Sequence, residues 1–92
     1  MSTFISIITK INGTDQNVML LPESYNRQMV TIYNNSEFSL FIKFGANATI
    51  DSFTLCINSG DYFEFQFPCY TGRVDAFWDG IGGSAMITEI CQ

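Results

Sequence analysis

The sequence predicts an all-β protein: a single antiparallel β-sandwich, jelly-roll or Ig-like, of about eight short strands. Three observations carry that prediction. Apolar and polar residues alternate in short runs, the period of a strand with one buried face. Turn-forming residues return about every ten positions, the spacing of a sandwich or barrel. A helical period of 3.6 is not sustained in any window.

The strands are expected near 3–9, 17–21, 28–34, 38–45, 53–58, 61–67, 72–79 and 84–90, within one domain spanning 1–92. The first belongs to a segment, 1–11, expected to act as an arm or edge strand that contacts neighbours. Asn12-Gly13-Thr14-Asp15 reads as the turn that ends it, since Asn and Gly accept positive φ. The third and fourth strands lie in VTIYNNSEFSLFIKFG, residues 30–45, which reads as a hairpin around Asn34-Asn35-Ser36. Ser59-Gly60-Asp61 separates the fifth strand, with Leu55 and Ile57, from the sixth, with Phe63, Phe65 and Phe67. Pro68 ends the sixth because it cannot donate to a ladder. Asp79-Gly80 and Gly82-Gly83 bracket Ile81 in a last hairpin.

Alternation then assigns the faces. The expected core is Val30, Ile32, Leu40, Ile42, Phe44, Leu55, Ile57, Phe63, Phe65, Phe67, Val74, Ala76 and Trp78. The opposite faces carry Tyr33, Phe41, Tyr62 and Phe77, aromatics surplus to that core. With Phe4 and Ile5 they are the candidate interface residues. Charged residues are 14% of the chain, against roughly 25% in an ordinary soluble domain. That shortage has two readings: a surface partly covered by a partner or by copies of the same chain, or one covered by Ser, Thr and Asn, which the chain has in quantity.

Composition also excludes function classes. The net charge is −5 and the cations are Lys10, Arg27, Lys43 and Arg73. Four dispersed cations make no basic patch, so neither direct nucleic-acid binding nor an acidic membrane surface is expected. MSTFISIITK has no basic n-region or cleavage pattern, so synthesis in a cytoplasm without a signal peptide is expected.

The chain has no His, which removes the usual general base and zinc ligand, and it has no phosphate-binding glycine loop. No enzyme, cofactor or metal is expected. Asp75 and Asp79, with Asp51 and Asp61 in turns, fit no catalytic spacing, and acids at such positions are ordinarily solvated. Cys56, Cys69 and Cys91 read as small apolar residues in or near the core, with one disulfide plus a free thiol as the alternative in an oxidising medium. Trp78 reads as a core anchor; as a functional residue it would be a stacking platform for a sugar, with Tyr70, or a hot spot of an interface.

RQMVTIYNNSEFSLFIKFGANAT is followed by LCINSGDYFEF, YTGRVDAFWDG and GSAMITEI. This order of strands and turns resembles small all-β virion proteins of tailed bacteriophages over about residues 27–90. The resemblance implies a structural virion protein: a capsid cement or decoration protein that binds major capsid subunits and stabilises the head, often as a trimer. The alternative it implies is a head-fibre, tail-fibre or baseplate module that binds a partner protein or host glycan. On either reading the partners are the major capsid protein or another virion protein and copies of the chain, and the location is the virion.

Overall fold

The structure is a computed structural model that describes residues 3–92. It is all-β. Its strands are β1 (Ile5–Gly13), β2 (Val18–Leu21), β3 (Arg27–Asn34), β4 (Leu40–Phe44), β5 (Leu55–Ile57), β6 (Tyr62–Glu64), β7 (Val74–Trp78) and β8 (Gly83–Cys91). They form two antiparallel four-stranded sheets, β1-β8-β3-β6 and β2-β7-β4-β5. The first is called sheet A below and the second sheet B.

Each expected strand is present, but the expected hairpins are not. β3 and β4 lie in different sheets, as do β7 and β8. Asn34-Asn35-Ser36 is therefore a crossing from sheet A to sheet B. Among the described residues, β4 and β5 are the sole consecutive strands that pair. The side chain of Asn34 braces this crossing. It is fully buried and its Nδ2 donates to Phe38 O at 2.7 Å and Ile57 O at 2.9 Å. Its Oδ1 accepts from Ser36 Oγ and from the indole Nε1 of Trp78. The residue thus works as a polar hub that ties the crossing to the core, because a buried amide must satisfy its donors and acceptor.

Side chains from both sheets meet in one core. Val30, Ile32, Ala85 and Ile87 come from sheet A; Leu20, Leu21, Leu40, Ile42, Ile57, Val74, Ala76 and Trp78 come from sheet B. Phe44, Leu55 and Phe63 are partly buried against them. The Phe44 ring stacks on Tyr70 with centroids 4.7 Å apart and lies tilted against Phe65 at 4.9 Å. Trp78 is fully buried, and Gly13 and Gly83, register partners across β1 and β8, lie against its ring. A Cβ at either glycine would overlap the indole. This corrects the expected Asn12-Gly13 turn. Gly13 is the last residue of β1, and its glycine makes room for Trp78.

Phe67, expected in the core, is 97% exposed. β6 ends at Glu64, so alternation no longer governs which way its side chain points. Leu20, Leu21, Ala85 and Ile87 are core residues outside the expected set.

Candidate interaction surface

The outer faces of the two sheets differ. On sheet B, Phe41 and Phe77 are register partners and stack at 4.9 Å, with Phe53 edge-on to Phe41 at 5.0 Å. The segment between β4 and β5 folds back over this face. Its Asn47 N–H donates to Asp75 Oδ2 at 2.8 Å, and its Ala48 N–H donates to Asn17 Oδ1 at 2.9 Å. Phe77 is thereby buried and Phe41 half-buried. Phe77 is accordingly no surface residue: the chain covers this aromatic pair by itself.

Asp75 is the anchor of that cover and is wholly buried. Burial alone would raise its pKa. The Arg73 guanidinium, the Asn47 N–H and the Asn17 amide outweigh burial and hold the carboxyl below its ordinary value. A depressed folded pKa means stability that is complete above the unfolded value and lost as pH falls through the folded one. We therefore expect the urea midpoint to hold steady across neutral and mildly acidic pH and to fall below the ordinary carboxylate range. In Asp75→Asn the midpoint should already be lower at neutral pH, with a smaller further loss in acid. An unchanged acid profile in that variant would contradict the role given to Asp75.

The other acids singled out are placed apart from it. Asp79 Oδ1 accepts from the Ser39 N–H just beyond β7, so Asp75 and Asp79 bond to different groups at the two ends of one strand. Trp78 offers no platform, being enclosed with its N–H used internally. Tyr70 stacks on Phe44 and donates its hydroxyl to Arg73 O.

Among the described residues, nothing covers the outer side of sheet A. Lys10, Met86, Tyr33 and Tyr62 form one cross-strand row over β1, β8, β3 and β6. Tyr33 and Tyr62 are exposed there, as are Ile8 and Met29. Strand β1 pairs on one side with β8, and its other edge is open among the described residues. Ile11 reaches the core, but Ile5 and Ile7, on the same side of the strand, are 57% and 45% exposed. Phe4, just before β1, is exposed as well. The first half of β1 therefore presents apolar side chains on both faces beside unpaired backbone groups. Of the expected arm 1–11, residues 1 and 2 lie outside the described residues. Alternation alone could not single out Ile7, because it does not say which inward-facing residues lack an opposite sheet, and it does not govern Tyr25, Phe67 and Ile81, which lie outside the strands.

No family model and no curated protein matches the chain. Among solved structures, the chain is similar to one described as "Bacillus endospore appendages form a novel family of disulfide-linked pili". The TM-score is 0.54 at 6% identity, over 98% of this chain and 87% of that one. At that identity the likeness is one of fold. It overturns the expectation of a capsid cement protein and its fibre or baseplate alternative, since the matching structure is a pilus protein and not a phage protein. The resemblance behind that expectation rested on strand-and-turn patterns, which unrelated β-proteins share.

Proposed function

We propose that this protein is a non-catalytic structural subunit that assembles with copies of itself, as an appendage or pilin-type protein, on a jelly-roll sandwich. The strand orders β1-β8-β3-β6 and β2-β7-β4-β5 support the jelly-roll reading. The likeness to a pilus protein supports self-assembly. The observation that carries the proposal is β1: nine residues long, open along one edge, and apolar on both faces of its first half.

An open, long, apolar edge is a template for another strand. Soluble proteins blunt such edges with charges, and β1 has one, Lys10. A second copy suits the edge because its own β1 is as poor in charge, so pairing places few like charges together despite the net charge of −5. A specific contact covers about 800 Å² per partner. The whole surface is 5389 Å², so one such contact would cover a substantial share of it.

The test is sedimentation over a concentration series with negative-stain microscopy, on wild type and on Ile5→Lys/Ile7→Lys. Both substitutions fall on exposed side chains, so the thermal midpoint should stay unchanged. Wild type should form concentration-dependent oligomers or filaments, and the double variant should remain monomeric. A wild-type protein that is monomeric at its highest soluble concentration would overturn the proposal.

A further inference from the structure

The three cysteines occupy two different settings. Cys56 lies on β5, in register with Phe41 on the outward side of sheet B, and is exposed. Cys69 and Cys91 are half-buried at another place, around Arg27. Cys91 is in register with Arg27 across β3 and β8, and is two residues from Glu89 on the same side of its strand. The Arg27 Nε donates to Glu89 Oε2 at 2.8 Å, and its Nη1 donates to Tyr70 O at 3.2 Å and Gly72 O at 3.0 Å. The Cys69 thiol donates to that same Tyr70 carbonyl at 3.6 Å. One side chain, fully enclosed, thus has Cys91 beside its backbone and Cys69 beside its guanidinium. The segment that carries Cys69, residues 65–73, is irregular between β6 and β7. A register constraint does not fix it as it fixes β8.

We propose that, on oxidation, Cys69 and Cys91 join in an internal disulfide that fastens the 65–73 segment to β8 and leaves Cys56 as the unpaired thiol. With a low-molecular-weight disulfide as oxidant the step balances. One cysteine thiolate, having lost its proton to solvent, attacks the oxidant's S–S bond and releases one thiolate. The second cysteine, also deprotonated, attacks the resulting mixed disulfide and expels the other. Two cysteine thiols lose two protons and two electrons, and the oxidant is reduced to two thiols.

Burial raises both thiols above their ordinary pKa. For Cys69 the charge of Arg27 draws it back down, against Glu89 and Cys91. The thiolate fraction, and with it the rate, should therefore increase as pH rises through the alkaline range.

The experiment uses the full chain as Cys56→Ser, which touches neither thiol, with oxidised glutathione as the probe. It is run at a concentration where the protein is monomeric, so its outcome does not depend on self-assembly. Intact mass should fall by two hydrogens without a glutathione adduct. Peptide mapping should show Cys69 joined to Cys91, and the thermal midpoint should rise. Stable glutathione adducts on both cysteines, or links between chains, would overturn the proposal, as would two thiols that remain open to alkylation. If Cys56→Ser does not fold, peptide mapping of the oxidised wild-type monomer gives the same decision: a 69–91 link upholds the proposal, and a link that includes Cys56 defeats it.

Discussion

Replacing Arg27 by Met should destabilise the protein by about 3–5 kcal/mol, the cost of removing one partner from a buried ion pair. The Arg27 side chain is wholly buried, and that of Glu89 is 15% exposed. Arg27 also donates to three carbonyls, Pro22 O, Tyr70 O and Gly72 O, drawn from two separate stretches of chain. Met keeps much of the volume but none of the donors. It would leave the Glu89 carboxylate and those carbonyls enclosed without their partner. A domain of this size has a total stability of about 5–15 kcal/mol, so the loss is a large fraction of it. Urea unfolding measures the loss directly. Adding Glu89→Gln should recover part of it, because the uncompensated charge is then gone. A single variant within about 1 kcal/mol of wild type would mean that water replaces the guanidinium at little cost.

Trp78→Ala should cost about 3–5 kcal/mol through the cavity it leaves. Three features raise it within that range. The ring is fully buried, Gly13 and Gly83 have no side chains with which to fill the space, and Asn34 Oδ1 loses the indole donor. Trp78→Phe should lose less, since it keeps an aromatic ring. Urea unfolding of both variants checks the order. The wild-type Trp fluorescence should move to longer wavelength on unfolding, because the indole passes from an apolar enclosure to water. Equal stability in wild type and Trp78→Ala would contradict the central place given to this residue.

Much of the secondary structure was readable from alternation and turn chemistry, and the pairing was not. VTIYNNSEFSLFIKFG shows why. The period of two put Val30, Ile32, Leu40 and Ile42 inward, and all four are fully buried. The same period says nothing about partners. β3 pairs with β8 and β6, and β4 pairs with β7 and β5, so most of the ladders join distant stretches of chain. Such non-local pairing costs loop-closure entropy that no local pattern reveals.

The outer aromatics divide for a related reason. Phe41 and Phe77 look alike in sequence to Tyr33 and Tyr62. The first two are sheltered by the segment around Asn47 and Ala48, and that segment has no periodicity to announce its position. The glycine pair Gly13 and Gly83 likewise read as turn chemistry because its reason, the Trp78 ring, lies more than sixty residues from one of them in the chain.

Hydrogen exchange of the β1 backbone amides at low and high protein concentration decides whether copies assemble through β1. In the free subunit the amides of Ile5–Gly13 that point away from β8 have no strand partner among the described residues. These alternate amides should exchange quickly in dilute solution and become protected when copies assemble, while those already bonded to β8 change little. Assembly that leaves the open-edge amides unprotected, with new protection confined to the Tyr33–Tyr62 face or absent altogether, would contradict assembly through β1.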